Sequence, residues 1–256
     1  GSPCDNQATC NEAADNCGGC LGPAAAGTGG RYLLVTPDAA QGSTPVGVLI
    51  EGDCNETSVN CVSKYLVPRC VGGPNDGLSC LSDTDCPKQC LSGPNNGITC
   101  TTDTNCPAGS CRGLCEKGFL GSTPSYMPAS SWGTVQVHAG EIRPNALYHV
   151  YSVCNFGGPP TVSAADRTRT AKWGDTNNDP LHVVDFADIA AVVKAFQNVY
   201  SPLETYQSTN IMGTGASACG DVQLGCVGQE CINFSDVSAA VDAFRGVAFP
   251  CPAICP

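Results

Sequence analysis

Positive charge is scarce in this chain. It carries 12 Lys and Arg against 23 Asp and Glu, a net charge of −11. A nucleic-acid binder needs clustered Lys and Arg to displace counterions from phosphate, so nucleic acid is excluded as a partner. An anionic membrane surface is excluded by the same sign of charge. No apolar run approaches the ~20 residues that span a bilayer, so no membrane insertion is expected. Histidine is scarce too. Only His138, His149 and His182 occur, and none lies beside a cysteine pair. That argues against a reduced cytosolic zinc protein with mixed Cys and His ligands. Aromatic residues make up 6% of the chain, too few for one large aromatic core.

Cysteine is abundant instead, at 20 of 256 residues, beside 30 Gly and 19 Pro. A high, even cysteine count suits an oxidising compartment, so a secreted, extracellular or cell-surface protein is expected. No leader remains at the start, so a secreted precursor is expected to have been trimmed. All the cysteines are assigned to disulfides: Cys4, Cys10, Cys17, Cys20, Cys54, Cys61, Cys70, Cys80, Cys86, Cys90, Cys100, Cys106, Cys111, Cys115, Cys154, Cys219, Cys226, Cys231, Cys251 and Cys255. Their connectivity stays open. Residues 1–29 read as a Cys-rich arm pinned by two disulfides among its own four cysteines.

From Gly30 the pattern becomes β. Arg31–Thr36, Val46–Ile50, Trp132–His138 and Ala146–Val153 are short apolar or alternating runs bounded by Pro, Gly and Asp. In the last of these, Leu147, His149, Tyr151 and Val153 fall on one face and Tyr148, Val150 and Ser152 on the other. Thr161 opens a final strand. The fold class is therefore mixed and mainly β, with a β-sandwich over residues 30–172.

Residues 70–115 interrupt those strands with a Cys-rich loop insertion. Cys70, Cys80 and Cys86 recur 20 residues later as Cys90, Cys100 and Cys106. Gly73-Pro-Asn-Asp-Gly-Leu-Ser-Cys80 repeats as Gly93-Pro-Asn-Asn-Gly-Ile-Thr-Cys100. Pro fixes φ while Asn and Gly tolerate positive φ, so both copies read as tight turns. Large apolar side chains are few here, so disulfides must stand in for a core. Asp76, Asp83 and Asp85 read as solvated turn residues rather than cation ligands.

Residues 173–256 hold a second repeat. Gly174-Asp-Thr-Asn-Asn-Asp179 spaces oxygen ligands at alternate positions, and Asp185-Phe-Ala-Asp188 opens a helix with Ile189, Val192, Val193 and Phe196 as its apolar stripe. Shifted by 48 residues, Asn233-Phe-Ser-Asp236 and the stripe Val237, Ala240, Val241 and Phe244 reproduce it. Gly220-Asp221 reproduces Gly174-Asp175. Alternating Asp and Asn closed by a helix-start carboxylate is a calcium-loop pattern. Asp175, Asn177 and Asp179 supply oxygens, with the Val183 carbonyl, Asp185 through water and Asp188 completing the sphere.

These residues resemble the duplicated calcium-binding repeat of type I dockerins. They are closer still to the dockerin-like pair on secreted proteins of planctomycete-type bacteria. The likeness covers Trp173–Phe196 and Gly220–Gly246. It implies an EF-hand-like α-helical C-terminal domain with calcium as the cofactor, and places Asp221, Asn233 and Asp236 on second-loop ligand positions. Pro180 stands where Gly is usual and the first loop is two residues longer than the usual twelve. Gln223 takes an early ligand place in the second, and Cys226 and Cys231 are expected to pair within its insertion. The strands, in turn, resemble a fibronectin type III-like sandwich placed before such a pair.

No catalytic motif is present: no His-Glu-x-x-His, Gly-x-Ser-x-Gly or phosphate loop. The expectation is a non-enzymatic extracellular structural protein. It is disulfide- and calcium-stabilised, and assembles as a homo-oligomer or polymer into a fibre, sheath or matrix. One alternative is an attachment module for a cohesin-like or other cell-surface partner. Phe186-Ala187 and Phe234-Ser235 occupy the places where dockerins carry a polar recognition pair. A carbohydrate-binding or glycan-processing protein is a further alternative. Asn55, in Asn55-Glu-Thr57, is a candidate glycosylation site.

Overall fold

Most of the expected apolar runs form strands in the computed structural model. The structure describes residues 16–17, 20–28, 32–53, 61–137, 141–154, 160–176, 183–197, 199, 211–212 and 232–250. Among the described residues the first element is a hairpin of β1 (Asn16–Cys17) and β2 (Cys20–Leu21). Next come β3 (Ala24–Thr28), β4 (Tyr32–Thr36), β5 (Pro45–Asp53) and β6 (Cys61–Leu66). The Cys-rich insertion holds β7 (Arg69–Val71), β8 (Gln89–Leu91), β9 (Ser110–Arg112) and β10 (Leu114–Glu116). Beyond it lie β11 (Leu120–Gly121), β12 (Met127–Pro128), the one-turn helix α1 (Ala129–Trp132) and β13 (Val135–Val137). The strands end with β14 (Leu147–Cys154), β15 (Thr161–Val162) and β16 (Asp166–Arg169).

The largest sheet has the antiparallel order β11-β6-β5-β14-β15, with β16 also paired to β14 and β12 to β5. A second sheet is ordered β13-β4-β3. One core joins them, with Leu33 and Val35 from the small sheet packed among Val46, Val48, Ile50, Tyr148 and Val150 from the large one. The alternation expected in β14 holds. Tyr148 and Val150 enter this core, while Tyr151 and Val153 join Leu49 in a smaller cluster on the opposite face. Both faces of this central strand are covered, so its side chains are nearly all buried.

Three expectations are corrected. Trp132 is not in a strand. It closes α1, buries its ring, and its indole N–H donates to the Val46 carbonyl at 3.1 Å. The strand starts only at Val135, after Gly133 turns the chain at φ 59°. The arm over 1–29 does not end before the sheets, because its described end, β3, pairs along all of β4. Nor does Cys20 bond within the arm. It joins Cys154 across a separation of 134 residues, inside the main core. Among the described residues this N-terminal segment, which lacks apolar periodicity, is held by the Cys20–Cys154 tie and a hairpin.

The Cys-rich insertion is two nested modules. The outer has Cys70–Cys86 and Cys80–Cys115, and the inner has Cys90–Cys106 and Cys100–Cys111. Each is closed by a short hairpin, β7 with β10 and β8 with β9. Asp83 accepts the Cys115 N–H at 2.8 Å, just as Asp103 accepts the Cys111 N–H at 2.6 Å. Pro107-Ala-Gly-Ser-Cys111 of the inner module therefore corresponds to Pro87-Lys88 followed by Gly113-Leu-Cys115 of the outer. Residues 89–112 are inserted between Lys88 and Gly113. Those two ends abut: a Cβ on Gly113 would lie 2.8 Å from the Lys88 Cα and 2.6 Å from the Pro87 carbonyl oxygen.

Two helices follow the sheets, α2 (Phe186–Phe196) and α3 (Phe234–Phe244). Their seam is lined by small residues, Ala191, Val192 and Ala195 against Ala239, Ala240 and Ala243. The expected stripes are displaced by about one position, and bulky Val241 and Phe244 stay partly exposed. Trp173 and Ile211 complete this second core. No helix among the described residues is long and apolar enough to cross a membrane.

Candidate functional site

Four of the expected metal ligands, Asp185, Asp188, Asn233 and Asp236, lie at the starts of α2 and α3. Asp185 caps α2, its carboxylate accepting the Ala187 N–H at 2.6 Å. Asp188, one turn on, is fully buried. Its Oδ2 accepts the Asp185 N–H at 2.8 Å and its Oδ1 accepts the Thr176 N–H at 2.7 Å. Asn233 and Asp236 repeat this at α3. The Asn233 side-chain oxygen accepts the Ser235 N–H at 2.7 Å, and Asp236 takes the N–H groups of Asn233 at 2.9 Å and Met212 at 2.8 Å. Each helix-start aspartate thus staples its own N-cap to an upstream loop. Burial pushes the Asp236 carboxyl up, and main-chain N–H donors pull it back.

The same hydrogen bond aligns the two upstream loops. Thr176 and Met212 hold equivalent places, so Ile211 stands where the first unit has Asp175. Asp175 and Ile211 are both almost fully buried, one as a carboxylate and the other as part of the apolar core. Gly174 makes the first loop's approach possible. It sits at φ +86°, and a Cβ there would lie 2.4 Å from the Ala243 Cβ. The sequence offered no sign of Thr176 or Met212 as staple partners, because a main-chain donor leaves no mark on residue type.

Calcium takes six to eight oxygens. In the second unit the described residues hold only part of the expected set. An apolar side chain, Ile211, stands at the leading place, while Asp236, like Asp188 in the first unit, accepts amide hydrogens on both oxygens. The first unit keeps Asp175 and Asp188 buried together at one loop and leaves Val183 half exposed. Among the described residues no three carboxylates bring oxygens within 4.8 Å of one another. The groups that meet that distance are Cys70, Cys80, Cys86 and Cys90, Cys100, Cys106, already tied in disulfides. Asn177, Asp179, Asp221 and Asn55 lie outside the described residues. So do Cys4, Cys10, Cys54, Cys219, Cys226, Cys231, Cys251 and Cys255.

In the cysteine modules the aspartates are more than solvated. Asp76 accepts the Gly72 N–H at 2.8 Å, and Asp85 takes the N–H groups of Leu81 and Ser82 at 2.7 and 3.0 Å. Those two bonds hold the exposed Asp85 carboxyl below its usual range. Sequence reasoning missed two buried carboxylates in the β elements. Glu51 on β5 accepts the Ser63 hydroxyl at 2.8 Å and lies opposite buried His149 in the β5–β14 register. Glu116 ends β10, where burial pushes its carboxyl up to about 7.

The disulfides and the lack of a membrane-crossing helix among the described residues are compatible with a secreted or extracellular protein. No family model, no curated protein and no solved structure matches this chain.

Proposed function

We propose that this chain is a non-enzymatic extracellular structural subunit, tied by disulfides, that assembles with copies of itself. One observation carries the reading. Both duplicated units expose a large apolar side chain at equivalent positions: Leu78 and Ile98 in the cysteine modules at 58% and 56%, Phe186 and Phe234 on the helix pair at 73% and 75%. A lone exposed apolar residue needs no explanation, but matched pairs on two separate surfaces offer two-point contacts. Phe186 also meets Phe244 edge-on at 5.4 Å, which holds one ring in place at the surface.

In this reading the β region is a fibronectin type III-like sandwich, and the helix pair is a dockerin-like unit. Calcium belongs to the first loop, on Asp175, Asn177, Asp179, Val183, Asp185 and Asp188, and the carboxylate staples alone support the second helix. Light scattering on the native protein in millimolar calcium tests the assembly. Particles well above 26.2 kDa are expected, and Phe186→Ser with Phe234→Ser is expected to return them to monomer. A monomer at all concentrations refutes self-assembly and leaves the attachment-module reading, in which the paired phenylalanines grip another protein.

A further inference from the structure

β13 lies at the edge of its sheet, paired to β4 and, among the described residues, to no strand on its other side. The ladder fixes which of its main-chain groups face outward. The Ala25 N–H turns away from β4 and donates to Asp166 Oδ2 at 2.6 Å, so Ala25 and Val35 form a non-hydrogen-bonded pair. Val35 then turns its N–H and C=O the other way, onto Val135. Alternation leaves the N–H and C=O of Gln136 pointing away from β4. A cleft of about 630 Å³ lies beside this strand, with the end of β10 on its other wall. Thr134, Val135 and Gln136 all line it. Successive side chains of a strand point to opposite faces, so what the three share with the cleft is the strand edge. On the other wall Glu116 is 8% exposed, and its carboxylate has no hydrogen bond or ion pair among the described residues. Asp83 is exposed and holds the Cys115 N–H, and the Lys117 ammonium is turned onto the carbonyl oxygens of Ser131 and Trp132. A buried carboxylate with neither donor nor cation is costly.

We propose that this cleft binds an extended, basic polypeptide segment of a partner protein, which adds as a strand to β13 and sets a Lys or Arg beside Glu116. In strand addition the main chain supplies affinity and side-chain pockets supply selectivity. Gln136 offers the incoming strand one donor and one acceptor, and Glu116 offers the selective charge. A single buried carboxylate among hydroxyls and an engaged ammonium matches one basic side chain on a neutral backbone. The chain's net charge of −11 favours a basic partner over a second copy at this edge. The site is separate from the assembly contacts at Leu78, Ile98, Phe186 and Phe234 and does not depend on them.

Fluorescence anisotropy on the full chain tests this at about pH 8, above the value to which burial raises Glu116. The probe is a short fluorescein-labelled peptide of alternating Thr and Val with one central Lys. Saturable binding is expected. The same peptide with a central Glu is expected to bind at least about tenfold more weakly, since like charges would then meet. The Lys peptide methylated at alternate backbone nitrogens is expected to lose binding, because it cannot complete a ladder. Glu116→Gln is expected to weaken the Lys peptide about tenfold. Gln136→Pro removes the outward N–H, which proline tolerates on an edge strand, and is expected to weaken it about fivefold. It serves as the second variant should Glu116→Gln fail to fold. No saturable binding, equal binding of the Glu or methylated peptide, or parent affinity in either folded variant overturns the proposal. Binding seen only after oligomers are diluted to monomer shows the edge covered by a second copy, and overturns the assignment to a basic partner.

Discussion

Excising residues 89–112 and joining Lys88 to Gly113 tests whether the cysteine modules are truly nested. The ends already abut in space, so the join asks for little movement. The cut removes Cys90–Cys106 and Cys100–Cys111 together and leaves Cys70–Cys86 and Cys80–Cys115 whole. Removing 24 residues shortens the Cys80–Cys115 separation from 35 to 11, the separation of its inner counterpart Cys100–Cys111. Loop-closure entropy scales as (3/2)RT ln n, so that disulfide's contribution falls by about 1 kcal/mol. Denaturant unfolding with peptide mapping of the unreduced protein gives the readout. The expected result is a folded chain, the two outer disulfides intact, no free thiol in the module, and stability lower by about that amount. Scrambled pairing among Cys70, Cys80, Cys86 and Cys115, or loss of the module's fold, refutes the idea that the outer unit is complete without the inner one.

Replacing both Cys20 and Cys154 by Ala should be the most damaging disulfide loss among those described, about 4–5 kcal/mol against about 3 for a 16-residue ring. Urea midpoints of the paired variants compare them directly, and equal losses would contradict the loop-length argument. Asp236→Ala strands the N–H groups of Met212 and Asn233 and should cost about 2 kcal/mol. The loss should be the same in calcium and in chelator; a calcium-dependent loss would place a metal in the second unit. Burial raises the Glu51 carboxyl above its ordinary 4.5, partly offset by hydrogen bonds from Ser63 and Tyr151. A raised folded value means stability is highest below the unfolded pKa and falls as pH rises through the folded one. Glu51→Gln should flatten that slope, and a variant with the parent's full slope from about pH 4.5 upward refutes this.

How much was legible in the sequence depended on how local the cause was. The helix starts were plain, because Asp185 and Asn233 cap within their own first turn and Asp188 and Asp236 close the same box. The alternation of β14 was plain because its period matches the pleat. Asp166–Arg169 was missed as a strand: its residues are largely exposed or half-buried, and its order comes from pairing with β14 rather than from an apolar pattern. Trp132 was misplaced because an aromatic beside alternating residues looks like strand until Gly133 turns the chain. The helix stripes were displaced because hydrophobicity ranks valine above alanine, whereas a close helix seam selects the smaller side chain.

The sequence by itself determined the mainly β character, the two internal repeats with their 20- and 48-residue offsets, and the dependence on disulfides. Those properties follow from composition and spacing, which any conformation of the chain carries. Only the tertiary structure decided that Cys20 finds Cys154, that one cysteine module sits inside the other, and that Ile211 takes in the second unit the place of Asp175 in the first. The reason is physical. A disulfide or an amide-to-carboxylate bond forms between atoms brought within a few ångströms. Which residues those are is set by the packing of whole sheets and helices, not by the residues' order along the chain.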